Sequence, residues 1–210
     1  MINCRLCKST SELFFSGRHG EYYDCPGCRG VFMAPDDHLD TADEKARYET
    51  HNNDVNDERY QEFVSPIVDA VTKNFTTGKS GLDYGSGIGP VISHLLKAKG
   101  YVVDQHDPIF DNNPMVFRNR YDFIVCCEVI EHFRHPAREF LKLNQLLKPN
   151  GKLICMTDLL TPDVKFPEWY YKDDPTHIFF YRKETIKFVQ KAFGFSASSI
   201  DSRTVIFETE

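Results

Sequence analysis

From residue 80 onward the chain alternates between short apolar runs and stretches whose apolar residues recur three and four positions apart. The runs read as strands and the spaced stretches as helices, because side chains return to one face every second residue on a strand and every three to four on a helix. Strands are predicted over 81–84, 101–106, 121–127 and 152–157, with two closing strands over 196–201 and 204–208. Helices are predicted over 90–99, where Val91, Ile92, Leu95 and Leu96 share a face, and over 137–147 and 183–193. Lys148-Pro149-Asn150-Gly151 reads as a turn. Strands in alternation with helices predict an α/β sheet covered on both faces.

The first third of the chain has another pattern. Residues 1–33 are short, aromatic and punctuated by two C-x-x-C pairs, Cys4/Cys7 and Cys25/Cys28. Two such knuckles can aim four sulfurs at one tetrahedral ion. The apolar residues between them, Leu13, Phe14, Phe15, Tyr22 and Tyr23, are too few to fold alone, so a structural zinc is expected to supply the missing free energy. Residues 34–60 are polar and acidic, with Asn-Asn and Asn-Asp turn signals, and read as a linker with a helical stretch over 42–49. An amphipathic helix is predicted over 60–75. Two readings stand for Tyr48 and Tyr60: caps over a ligand pocket, or solvated linker. The expected division is therefore a ribbon over 1–33, a linker over 34–60 and the main domain over 61–210.

At 210 residues and 41% hydrophobic, the chain suits one medium domain with a small appendage and needs no disulfides to close its core. The formal charge of −6 argues against DNA as a partner and against broad phosphate neutralisation on RNA. No apolar run is long enough to span a membrane and no signal-peptide pattern follows Met1, so a cytoplasmic location is expected. Reduced thiols there favour metal over disulfide for the two pairs. Cys126, Cys127 and Cys155 lie in apolar runs and are expected in the core.

Candidate chemistry begins at Leu82-Asp83-Tyr84-Gly85-Ser86-Gly87-Ile88-Gly89-Pro90, between a predicted strand and a predicted helix. Glycines there let the backbone turn tightly and let a ligand lie against the main chain near a helix start. Asp107 ends the next strand, where a carboxylate can accept two ribose hydroxyls. This run, with YDFIVCCEVIEHF and LLKPNGKLICMT further on, resembles in order the motifs of the class I S-adenosylmethionine-dependent methyltransferases over about 81–195. The resemblance implies a Rossmann-like, seven-stranded sheet and S-adenosyl-L-methionine as cofactor. It also implies that Asp83 and the loop Gly85, Ser86, Gly87 and Gly89 hold the methionine part, that Asp107 holds the ribose, and that Cys127 and Glu128 line the far wall. The chain departs from that pattern between Pro108 and Tyr121, which is too short for the usual helix and strand and leaves the adenine contacts unassigned. A nicotinamide dehydrogenase is the natural rival, but the glycines lack the G-x-G-x-x-G form.

Glu128-Val129-Ile130-Glu131-His132 follows the strand over 121–127. In a helical turn Glu128, Glu131 and His132 would share a face. His177 lies in the loop before the last helix. This E-x-x-E-H grouping resembles ubiquinone-biosynthesis O-methyltransferases and small-RNA ribose 2′-O-methyltransferases. The latter resemblance implies that Glu128, Glu131, His132 and His177 bind a divalent ion, magnesium or manganese, which would acidify an acceptor hydroxyl. The alternative reading is that the histidine packs beneath the cofactor and the glutamates cap a helix. In that case His132 or His177 would act as the base. Residues 160–181, with Trp169, Tyr170, Tyr171, Phe179 and Phe180, are either an acceptor lid or core beneath a loop. Methylation of an oxygen on a small hydroxyl-bearing acceptor leads. RNA methylation with the ribbon as reader is the second reading, weakened by a ribbon with few basic residues, among them Arg5, Lys8, Arg18 and Arg29. A non-catalytic binding protein is the third, and the intact glycine loop argues against it.

Overall fold

In the computed structural model, residues 1–50 and 54–210 are described, and the Asn52–Asn53 turn signal lies outside them. The ribbon is four short strands: β1 (Ile2–Asn3), β2 (Thr10–Gly17), β3 (Gly20–Asp24) and β4 (Val31–Met33). Helix α1 (Thr41–Tyr48) starts where the Asp40 carboxylate accepts the amides of Ala42 and Asp43. Helix α2 (Glu58–Asn74) begins two residues earlier than its periodicity predicts, because Asp57 caps it through the Arg59 amide. Val64, Ile67, Val68 and Val71 form its buried stripe.

The rest of the chain runs β5 (Ser80–Tyr84), α3 (Val91–Ala98), β6 (Val102–His106), β7 (Tyr121–Cys127), α4 (Pro136–Leu146), β8 (Leu147–Met156), β9 (Phe179–Phe180), α5 (Lys183–Ala192), β10 (Ala197–Asp201) and β11 (Thr204–Glu208). The main sheet has the order β10-β11-β8-β7-β5-β6. Its four strands β6, β5, β7 and β8 are parallel, β11 runs antiparallel to them, and β10, antiparallel to β11, returns to their direction. The predicted turn at Lys148–Gly151 sits inside β8 as a bulge: Leu147 and Lys152 pair with Tyr121 and Phe123 of β7, and the residues between loop out.

The described residues give six strands in this sheet, not seven. The segment after β6 explains the difference. Asp107 and Asp111 make a lone bridge and Pro114–Arg118 forms one 3₁₀ stretch, so no length remains for a helix and a further strand. Strand β6 is left at the edge.

Alternation along the strands builds two cores. Phe123, Val125, Ile154 and Met156 pack with α2 and α3. Ile124, Cys126, Leu153 and Cys155 pack on the other face with Phe140 and Leu143 of α4 and Ile186 and Val189 of α5. The ribbon joins this second core through Cys4, Leu6, Cys25, Cys28 and Phe32. It is also continued by main-chain hydrogen bonding: β9, late in the chain, pairs antiparallel with β4, placing Val31 opposite Phe180 and Phe32 opposite Phe179. Most of the aromatic residues of segment 160–181 prove to be core: Phe166, Trp169, Tyr171 and Phe180 pack with Tyr22, Val31 and Met33 of the ribbon. Tyr170, by contrast, is exposed. Among the described residues no helix is long and apolar enough to cross a membrane.

Candidate active site

The sheet reverses direction between β5 and β7: the chain leaves β5 for β6 on one side and returns to β7 on the other. Such a switch point opens a crevice at the carboxyl ends of the strands. A cavity of about 1270 Å³ lies there, lined by Asp83, Gly85, Ser86, Gly87, Gly89, Asp107, Cys127 and Glu128. Gly85 has φ +83°, and a Cβ on it would stand 2.5 Å from the Val129 side chain, so only glycine fits this turn. Asp107 stitches the far side. One oxygen accepts the Gly87 amide at 3.0 Å, and the other accepts Ile109 and Phe110 at 2.8 and 3.0 Å. Of the two linker tyrosines, both Tyr48 and Tyr60 line the cavity.

Asp83 is 3% exposed. Its carboxylate accepts the Ser93 hydroxyl at 2.8 Å and the Ser93 amide at 3.2 Å, which fixes α3 to the end of β5. Burial nevertheless pushes its carboxyl up to about 6. Between an unfolded value near 4 and that folded value, the native state binds the extra proton, so this group's contribution to stability falls as pH rises through the window. Asp83→Asn removes the titration. The melting-temperature gap between variant and wild type, without ligand, is expected to move in the variant's favour from pH 4 to pH 6 by the equivalent of roughly 2 kcal/mol. A gap independent of pH over that range would show that folding leaves the Asp83 carboxyl at its ordinary value.

On the opposite wall, the reach from β7 to α4 is not helical as the spacing suggested. Glu128 adopts φ +51°, and Ile130–His132 forms a single 3₁₀ turn, so the three residues do not share one face. Glu128 lines the cavity and its Oε1 accepts Arg203 at 2.8 Å. Burial, reinforced by the Glu131 charge, raises its carboxyl to about 8. Glu131 is fully buried behind the wall. Its two oxygens accept the hydroxyls of Tyr171 and, at 3.1 Å, Thr157. Burial raises it to about 7.

His132 and His177 both line the cavity, with ring centroids 4.8 Å apart. His132 Nδ1 lies 2.8 Å from the Thr176 carbonyl, and His177 Nδ1 lies 2.6 Å from the Tyr171 carbonyl. A carbonyl only accepts, so each Nδ1 carries the proton and each Nε2 keeps a lone pair. Burial holds both imidazoles neutral, pushing His177 down to about 3 with the help of His132. A histidine so depressed is a weak base but a ready hydrogen-bond acceptor or metal ligand. One ligand atom from each of Glu131, His132 and His177 lies within 4.8 Å of the others. Glu128, the fourth expected ligand, stands outside that group and is engaged with Arg203. Two nitrogens and one carboxylate suit manganese or zinc better than magnesium, which prefers oxygen. Thr157 and Arg203 carry no sequence signal for this site, and Tyr171 stands out in the sequence only as part of an aromatic segment. They enter through the ends of β8 and β11 and the loop before β9.

In the ribbon, Sγ of Cys4 is 3.6 Å from that of Cys28, and Sγ of Cys7 is 3.3 Å from that of Cys25, with all four within 4.8 Å of one another. Four sulfurs about 2.3 Å from a tetrahedral zinc would stand about 3.8 Å apart, so the cluster has the donor type and nearly the spacing of such a site.

The sequence model of the family described as "methyltransferase domain" matches residues 56–200. The chain belongs to this methyltransferase family. A search of the curated proteins finds no match. Solved structures similar in fold include a SAM-dependent methyltransferase from Archaeoglobus fulgidus, with TM-score 0.54 and 17% identity over 71% of this chain and 94% of that one. Others are TnmH, with TM-score 0.53 and 16% identity over 72% and 56% of the respective chains, and an O-methyltransferase family protein from Burkholderia thailandensis, with 0.52 and 15% over 79% and 61%. The chain thus spans somewhat more than half the length of the last two.

Proposed function

We propose that this S-adenosylmethionine-dependent methyltransferase transfers its methyl group to a hydroxyl oxygen of a small acceptor, with a structural zinc closing the ribbon. The observation that supports this most is the pair of neutral imidazoles beside the cofactor cavity, each locked by a backbone carbonyl on Nδ1 and each offering Nε2. The glycine loop and Asp107 would hold the cofactor, and Asp83 would face its methionine end. The acceptor hydroxyl would donate to Nε2 of His132 or His177, which aligns its oxygen with the methyl carbon. The sulfur–carbon bond breaks as the carbon–oxygen bond forms. The sulfonium becomes a neutral thioether, and the hydroxyl proton leaves to the site or to water. Where a divalent ion joins the site, Glu131, His132 and His177 would hold it, and it would lower the pKa of the hydroxyl it touches. Glu131 also anchors Tyr171, whose carbonyl orients His177.

The test is transfer of label from methyl-tritiated S-adenosylmethionine into a deproteinised cell extract, with purified zinc-loaded protein. The expected product is a low-mass, alkali-stable methyl ether. Label recovered in RNA would transfer the assignment to RNA methylation, and label in neither fraction would count against the small-acceptor reading.

A further inference from the structure

The ribbon reaches the edge of the cavity through Arg5, which sits between Cys4 and Cys7 and contacts His135, a cavity-lining residue. Its Nη1 lies 3.3 Å from His38 Nδ1 and its Nη2 lies 3.0 Å from His135 Nδ1. Among the described residues no carboxylate comes within ion-pair distance of it. A guanidinium always donates, so both imidazoles must accept at Nδ1 and carry their protons on Nε2. His38 uses that proton on the Met33 carbonyl at 3.3 Å. His135, which is exposed and lines the cavity, is left presenting an N–H.

The cations around this point repel one another. Arg134 lowers the pKa of Arg5, although burial lowers it more. Burial and then the charge of Arg5 push His38 down to about 4. His135 is depressed by partial burial and then by Arg5, Arg138 and Lys8. Two carboxylates face the group: Glu44, paired with Arg134 at 2.9 Å, and Glu139, near His135. Of the two guanidiniums, Arg134 is paired with Glu44, whereas Arg5 has no carboxylate partner among the described residues. Helix α4, eleven residues long, starts here with His135 as its N-cap residue and no side chain capping it. The positive end of a helix dipole therefore adds to the same point.

We infer that this rim binds a phosphoryl group carried by the methyl acceptor, with Arg5 and Arg134 as its cationic contacts and His135 Nε2–H as a neutral donor. The inference rests on the small-acceptor reading above. A dianionic phosphate matches two guanidiniums and a helix start better than a single carboxylate does. Arg134 is two residues from His132, so an acceptor anchored at the rim has a short path to the paired imidazoles.

The experiment is calorimetric titration of the full-length, zinc-loaded protein with inorganic phosphate, with acetate, and separately with S-adenosylhomocysteine. Phosphate is expected to bind and acetate is not. Arg5→Gln, which leaves all four cysteines in place, is expected to weaken phosphate by about tenfold or more, with S-adenosylhomocysteine affinity unchanged within about twofold. Zinc content and melting temperature establish that the variant is folded, and Arg134→Gln provides a second variant should Arg5→Gln lose zinc. Equal binding of acetate and phosphate would overturn the choice of phosphate. Phosphate binding unaffected by either variant would overturn the site. A parallel loss of S-adenosylhomocysteine would mean the rim holds the cofactor's carboxylate, which also overturns it. Because none of these arms requires turnover, failure of the label-transfer assay alone would sink the acceptor reading and leave the phosphate site measurable.

Discussion

Cys28→Ser is expected to reduce zinc from about one per chain to near none and to lower methyl transfer by about a hundredfold, while S-adenosylhomocysteine affinity changes by less than about threefold. The separation follows from where the ribbon connects. Strand β4 pairs with β9, and the Met33 amide donates to the Ile178 carbonyl at 3.0 Å. The Ile178 amide in turn donates to the Glu131 carbonyl, also at 3.0 Å. Those residues flank His177 and Glu131. Asp83 lies on β5, and the glycine loop and Asp107 directly follow β5 and β6, strands that the ribbon does not pair with. A metal held by the four cysteines would thus brace the wall that carries Glu131 and His177 and leave the glycine-loop wall to its own sheet. Cys28 is fully buried in the shared core, so the variant could also loosen that core. Stripping metal from the wild type with a chelator and restoring it provides the control. Full activity in the metal-free protein, or equal loss of both measurements, would refute this division of labour.

His177→Ala is expected to reduce methyl transfer by two to three orders of magnitude, again with cofactor affinity close to wild type. The imidazole is held on one side by the Tyr171 carbonyl and lies against the Tyr171 ring at 4.2 Å between centroids, so its removal leaves a gap in an otherwise fixed wall. His177→Gln keeps a side-chain acceptor and is expected to retain more activity than His177→Ala. The two variants should have similar melting temperatures if the loss is chemical. A modest fall in turnover, equal for both, would return His177 to a packing role and place the work on His132.

The strand, tight turn and helix start around the glycine loop were legible because all three are written within a few residues, and the loop and Asp107 do line the cavity. The cysteine pairs were legible for the same reason, their spacing being itself the geometry. The acceptor wall was not. Helical spacing placed Glu128 beside Glu131 and His132, but the left-handed backbone at Glu128 and a single 3₁₀ turn send the two glutamates to different partners. Arg203 comes from the turn between the last two strands, 75 residues away, and Tyr171 meets Glu131 from 40 residues away. Such meetings are fixed by topology and leave no periodic trace. Tyr48 shows the converse: it stands in a polar stretch that reads as linker, yet its ring meets His132 edge-on at 5.5 Å between centroids.

The pairing of β4 with β9 also sets an order of events during synthesis. The ribbon's strands are made before the rest of the fold they join, and the partner of β4 is made about 150 residues later. Until then β4 presents an open strand edge bearing Val31, Phe32 and Met33, all buried in the finished protein. Nascent chains are therefore expected to be most prone to aggregate in that interval, and slow synthesis through residues 100–180 should lower the soluble yield more than slowing elsewhere.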